Sequence, residues 1–430
     1  MRSRALIMIE GHRRIGFLFI QAAQRLGLHP ITLSADPARY DYLAAENLET
    51  VHVDTDNLDA LIHECSRLST THEIAGITAA EEEVYATVGK LCAHFDLPGP
   101  NAASIERCCD KFAQRQLLAE AGISVPTYRL TGNAAEVKSS AAEIGLPVIV
   151  KPAVGTGSSG VRLCRNVDEL AEHTTYLLGG KHKWTSSPRI LVEEFAHGPF
   201  YSVDTMEKEI IGVCTADFDR PPHFVFSRCT YPAPLTDDEY KCITDVSLSC
   251  LQALGLGWGP TTVELRWTIG GPVVVEVNPR LAGGTNSRLI TLAYGVDLIT
   301  ELIKLVTGNK CDLRKRHSQT AGSRHLVPEQ DGILDWIDGV SRAAAVPGVA
   351  EVGCYVKAKT PIARNFDYLD SIGHVIAASP SPALTEATLQ RAVELISWSI
   401  TPLATLDEQE LLSAGSHHSA SGDASAPDKR

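Results

Sequence analysis

Apolar positions along the first hundred residues fall alternately into short continuous runs and helical stripes. Residues 5–9 are apolar throughout, the pattern of a buried strand. Residues 14–26 place Ile15, Leu18, Phe19, Ala22 and Leu26 on one helical face, and Gly27 stops that helix. A strand follows at 30–33. The same alternation continues with a strand at 51–53, a helix at 58–68, a strand at 74–78 and a helix at 82–95. Such a strand–helix succession predicts an α/β unit with a parallel sheet. Pro98-Gly99-Pro100 interrupts it, so a division is expected near residue 97.

Beyond this break the pattern predicts one helix over 104–121, ended by Gly122, and strands at 148–151 and 161–164 on either side of a glycine-rich loop. A helix is expected at 168–178, a polar, proline-broken segment at 181–188, and strands at 190–195 and 201–206. Residues 235–254 read as a helix closed by Gly255. Strands at 261–267 and 272–277 around Gly270-Gly271 read as a tight hairpin. A helix at 298–306 stops at Gly308. From about 325 the chain becomes strand-rich with glycine turns, then helical at 386–400. Residues 413–430 contain few apolar side chains and read as a disordered tail, with His417 and His418 as solvated tail residues. No internal repeat is visible.

The expected division is therefore 1–97, an α/β domain; 98–195, linking helices and a lid subdomain; 196–325, a catalytic subdomain; 326–412, a C-terminal α/β subdomain; and the tail. Composition changes this picture little. A formal charge of −13 argues against nucleic-acid and anionic-membrane partners, which require a basic face. The 11 cysteines, with one vicinal pair at Cys108-Cys109 and no C-x-x-C, read as reduced thiols. The apolar run before Glu10 is too short for a signal peptide or a membrane span, so a cytoplasmic protein is expected.

The candidate chemistry is concentrated in a few segments. Lys151 precedes Gly155-x-Gly157-Ser158-Ser159-Gly160. A G-x-G-x-x-G run can mark a dinucleotide-binding turn, but that device requires a helix immediately after the loop. Here residues 161–164 alternate like a strand. A strand–glycine loop–strand unit instead presents mobile backbone N–H groups and two hydroxyls to phosphate, with Lys151 beside them. A nicotinamide-dependent dehydrogenase is therefore disfavoured.

Glu264 and Glu276 lie in apolar strands of one hairpin, where an unpaired carboxylate is costly. Period-two alternation places Val274, Glu276 and Asn278 on one face, with Glu264 opposite. Two carboxylates and an amide oxygen suit Mg²⁺. Arg280 follows, where a cation can stabilise a transferring phosphoryl group. By themselves, Glu193 and Glu194 in residues 191–198 also read as a solvated strand end, and Asp110-Lys111 as a surface pair on a helix.

In this order and spacing, DK at 110–111, KP and GTGSSG at 151–160, VEEF at 192–195, Glu264 and EVNPR at 276–280 resemble the ATP-grasp superfamily over roughly residues 5–400. LAGGTN and AYGVDLITELI after EVNPR resemble its carboxylate–amine ligase branch, which joins amino acids. The resemblance implies an ATP-grasp fold, with a Rossmann-like N-terminal α/β domain, a glycine-loop lid and a mixed-sheet catalytic domain. It implies that Lys111 and Lys151 hold ATP phosphates beneath the loop Gly155, Gly157, Ser158, Ser159 and Gly160. It implies that Glu193 accepts from the adenine amino group while Glu194 and Ala196 read the adenine edge through their backbone. Glu264, Glu276 and Asn278 would ligate Mg²⁺, or Mn²⁺ in its place, and Arg280 would be the catalytic cation. Phe200 stands where many relatives carry the acid that bonds ribose.

The implied activity is ATP-dependent joining of a small carboxylate to an amine through an acyl phosphate. Arg324 is a candidate clamp for a substrate carboxylate. The expected partners are small-molecule acids and amines, with a homodimer as the assembly. Rival readings are bicarbonate activation or a nucleotide-biosynthesis ligation on the same scaffold, and an ATP sensor without turnover. The four retained residues Glu264, Glu276, Asn278 and Arg280 argue against the sensor.

Overall fold

In the computed structural model, residues 2–179 and 189–402 are described; the polar segment and the tail singled out above lie outside them. The chain opens with a parallel sheet of order β3-β2-β1-β4, made of β1 (Ser3–Ile9), β2 (His29–Ser34), β3 (Glu49–His52) and β4 (His72–Thr78). The apolar run of β1 is wholly buried because helices cover both faces of a parallel sheet. A second, antiparallel sheet has the order β5-β8-β6-β7: β5 (Tyr128–Thr131), β6 (Val148–Pro152), β7 (Arg162–Cys164) and β8 (Ile190–Glu194). β6 and β7 pair directly across the glycine loop, and no helix starts after it.

The largest sheet has eight strands in the order β13-β12-β9-β10-β11-β14-β18-β16. Its members are β9 (Phe200–Met206), β10 (Glu209–Phe218), β11 (Phe226–Tyr231), β12 (Pro260–Thr268), β13 (Gly271–Asn278), β14 (Thr320–Leu326), β16 (Val349–Cys354) and β18 (Gly373–Ser379). A small sheet pairs β15 (Gly332–Asp338) with β17 (Pro361–Ile362) and β19 (Ser397–Thr401). The eight-stranded sheet runs unbroken across the division expected at 325–326, because β14 pairs with β11 on one side and β18 on the other.

Three expectations are corrected. The single helix over 104–121 is two helices, Ala102–Cys109 and Lys111–Glu120. Asp110 between them is extended, and its carboxylate caps the second helix by accepting from the N–H groups of Phe112 and Ala113. The helix expected from residue 82 starts at Tyr85, which leaves Glu81 and Glu82 in the loop after β4. The last helix is Pro382–Glu394, and the β-branched, aromatic stretch after it is β19.

Candidate active site

A cavity of about 270 Å³ opens between the two antiparallel sheets and the end of the parallel one. The hairpin of β12 and β13 forms its floor. Val263 and Leu265 of β12 face the core, which turns Glu264 to the cavity. In the register Glu264 lies directly across from Glu276. The ladder then slips by one residue, pairing Leu265 with Val274. This bulge corrects the expected alternation: Val274 is in the core, while Val275, Glu276 and Asn278 all line the cavity. Val275's carbonyl accepts from Arg115.

Like charges directly opposed across strands are unfavourable. Burial, together with Glu276's charge, pushes the Glu264 carboxyl up to about 8. Burial also raises Glu276, but Lys111 and Lys151 more than reverse this and hold it below the usual range. Lys111 Nζ lies 2.9 Å from Glu276 Oε1 and donates to the carbonyl of Gly155 in the loop. Asn278 Nδ2 lies 3.4 Å from Glu264 Oε1. Two carboxylates and an amide oxygen, set close and lacking a full complement of countercharge, fit a hard divalent cation such as Mg²⁺.

Lys151 and Glu193 form the opposite wall. Glu193 bridges two cations: its Oε2 lies 2.5 Å from Lys151 Nζ and its Oε1 2.6 Å from Arg115 Nε. Arg115 is 0% exposed and Lys151 4%. Burial lowers the Lys151 ammonium because its one ion-pair partner is shared with Arg115. Lys111 is raised despite its burial, because Glu276 and Glu82 both act on it. Glu194, Phe195 and Ala196 line the cavity next to Glu193.

Arg280 is held by Glu82, with Nε 2.9 Å from Oε2. Its own carbonyl accepts from Thr262, 3.2 Å away. Glu82 comes from the loop after β4, where parallel sheets commonly place ligand-binding groups. Gln114 ties the helix Lys111–Glu120 to β13 by donating to Val277's carbonyl (2.8 Å) and accepting from its N–H (2.9 Å). The sequence reading missed Glu82, Gln114 and Arg115. The three acids at 81–83 after an apolar strand were a usable signal for the first; nothing local marked the other two.

In the glycine loop, Gly155, Gly157, Ser158 and Ser159 line the cavity. Gly160 does not: it is buried, and its carbonyl accepts from the His173 ring at 2.9 Å. Gly157 has φ +65°, and a Cβ there would stand 2.2 Å from the Tyr368 ring. Asp110 and Lys111 are no surface pair: Lys111 is buried, and Asp110 is bound by Arg189. Arg324 is corrected as well. It points away from the cavity and pairs with Glu386, while its neighbour His325 lines the cavity, as period-two alternation requires. Phe200 lines the far end, edge-on to Phe218 at 4.9 Å, with Arg266 packed over it.

The arrangement sets the buried Lys111 and Lys151, the half-buried Arg280, the oxygen-bearing side chains of Glu264, Glu276 and Asn278 and the glycine loop around one cavity. Such a site can take a polyphosphate–metal complex and stabilise charge at its terminal phosphate. Residues 110–314 match the family described as carbamoyl-phosphate synthase L chain, ATP binding domain, and residues 324–401 match L-amino acid ligase C-terminal domain 2. The chain is 58% identical over 407 residues to the uncharacterised protein y4rH of Sinorhizobium fredii (strain NBRC 101917 / NGR234), covering 95% of this chain and 85% of that one. It is 23% identical over 295 residues to dapdiamide A synthase of Enterobacter agglomerans, covering 65% and 69%. The crystal structure of an L-amino acid ligase from Bacillus licheniformis superposes with a TM-score of 0.80 at 19% identity, covering 93% of this chain and 100% of that one; this likeness is one of fold. No helix among the described residues is long and apolar enough to cross a membrane.

Proposed function

The chain belongs to the ATP-grasp superfamily, on the branch carrying the L-amino acid ligase C-terminal domain, and from that premise we propose that it joins a small carboxylic acid to an amine, both amino-acid-like, at the expense of ATP. The observation that carries this reading is the single cavity in which Lys111, Lys151 and Arg280 converge on the Glu264–Glu276–Asn278 face beneath the glycine loop. The C-terminal match supports an amino acid as substrate over bicarbonate.

In this reading Lys111 and Lys151 hold the phosphates, and the N–H groups of residues 155–159 cover them. Glu193, with the backbone of Glu194 and Ala196, takes the adenine. Glu264, Glu276 and Asn278 would hold Mg²⁺, or Mn²⁺, which when bound neutralises phosphate charge. A carboxylate oxygen attacks the γ-phosphorus and ADP leaves. The amine nitrogen then attacks the acyl carbon; phosphate departs with that oxygen, and the amine loses a proton. Arg280, fixed by Glu82, faces the charge that develops in both steps. The loop keeps water from the acyl phosphate. Charge neutralisation and positioning supply the acceleration, without a protein nucleophile.

The test is phosphate release from ATP and Mg²⁺ with pairs of amino acids, products read by mass. Release that requires two amino acids, with a product lighter than their sum by one water, supports the proposal. Release with bicarbonate and no amino acid assigns the site to bicarbonate activation. No release with any pair, although ATP binds, assigns it to sensing.

A further inference from the structure

At the opposite end of the parallel sheet, three strands open with a metal-ligand type of side chain. His29 is the first residue of β2, Glu49 of β3 and His72 of β4. Register and alternation put all three on one face: Ala5 pairs with His29, Ser3 with His72, and Ile31, two residues after His29, with Glu49. At the level of the two histidines the strand between them, β1, presents the small residues Ser3 and Ala5 on that face. The imidazoles therefore meet above it, stacked with ring centroids 5.4 Å apart and planes 4° from parallel. His29 Nε2 lies 2.6 Å from Glu49 Oε2. One ligand atom from each of the three residues lies within 4.8 Å of the others.

We propose that His29, Glu49 and His72 form a binding site for a Zn²⁺-class transition-metal ion, distinct from the cation site in the cavity. Two imidazoles and one carboxylate are ligands for borderline metals, and three protein ligands leave a fourth position for water. A tetrahedral ion with bonds of about 2.0–2.2 Å sets its ligand atoms about 3.5 Å apart. The side chains of His29 and Glu49 are 42% and 39% exposed, so they can rotate to close the remaining distance.

One tautomer is already set. The Thr71 hydroxyl donates to Leu68's carbonyl and stands 2.9 Å from His72 Nδ1. It therefore accepts from Nδ1–H and leaves the Nε2 lone pair free, the outer-shell arrangement that orients ligating histidines. At His29 the metal replaces the proton between Nε2 and Glu49, and the ring carries that proton on Nδ1 instead.

The site lies at the N-terminal ends of strands whose C-terminal ends lead to the cavity-lining residues His12, Glu81 and Glu82. Seven residues of β4 separate the two ends, roughly 20 Å. Its role is structural: bound metal ties the short edge strand β3 to β2 and β4.

The test uses untagged full-length protein with His417 and His418 changed to Ala, saturated with Mg²⁺·ADP so that the cavity is occupied. Zn²⁺ is titrated calorimetrically, and melting is followed with and without it. One equivalent of Zn²⁺ is expected to bind and raise the melting temperature. His29→Ala and His72→Ala abolish both effects, Glu49→Gln weakens binding at least about tenfold, and Thr71→Val weakens it about 10–100-fold. Unchanged ADP binding in each variant shows that the fold is intact. Equal Zn²⁺ stoichiometry and affinity in parent and His29→Ala, or no Zn²⁺ binding by the parent, overturns the proposal.

Discussion

Replacing Glu193 by Gln removes the one anion between two buried cations. Arg115 is fully buried and Lys151 almost so, and each contacts a different oxygen of that carboxylate. Leaving a buried charge uncompensated costs about 3–5 kcal/mol. At about 2–4 °C per kcal/mol for an unfolding unit of this size, melting falls by roughly 6–20 °C. The protein has one escape. Burial already lowers the Lys151 ammonium, so without its partner it loses its proton more readily. The cation proposed to meet phosphate is then missing. Nucleotide must then bind with re-protonation of Lys151, so Glu193→Gln should show a smaller ADP-induced rise in melting temperature than wild type. Its KM for ATP should rise about tenfold or more, with a smaller change in kcat. Thermal melting with and without Mg²⁺·ADP, and ATP titration of phosphate release, measure these quantities. A variant melting within a degree of wild type with an unchanged ATP titration would refute the view that Arg115, Glu193 and Lys151 are one electrostatically coupled unit.

Glu276→Gln should remove much of the Mg²⁺ affinity and turnover while leaving circular dichroism unchanged; a normal rate at normal Mg²⁺ would count against its ligand role. Gly157→Ala places a side chain at φ +65° against Tyr368, and the left-handed backbone alone costs about 1–2 kcal/mol. ATP affinity should fall about tenfold, and an unchanged KM would show that the loop does not close on the nucleotide in this conformation. Burial lowers His173 from its ordinary 6.5 to about 4. Between those values the unfolded chain binds a proton that the folded one does not, so stability falls as pH drops through this window. Wild type should lose about 1.4 kcal/mol per pH unit relative to His173→Gln there, and parallel pH profiles would contradict this.

Much of the fold was legible because its periodicity is strong. The β12–β13 hairpin, the helix Leu298–Val306 and the strand–loop–strand unit around residues 151–164 all follow from alternation and glycine placement. Local competition hid other features. The side chain of Asp110 caps a new helix where the apolar spacing alone continues the old one. The bulge at Val275 rephases β13, and only pairing with β12 reveals it. Arg324 and His325 differ by one position, and strand phase alone decides which of them reaches the cavity. The Glu82–Arg280 and Arg115–Glu193 pairs join segments distant in the chain, so burial and charge balance specify them, not any local pattern.

The proposed reaction turns on the fate of one oxygen atom. An acid that supports ATP-dependent product formation is labelled with ¹⁸O in its carboxylate, and the released phosphate is analysed by mass after a single turnover. Attack of that carboxylate on the γ-phosphate predicts ADP together with phosphate carrying one ¹⁸O. Unlabelled phosphate, or AMP with pyrophosphate, would contradict the account.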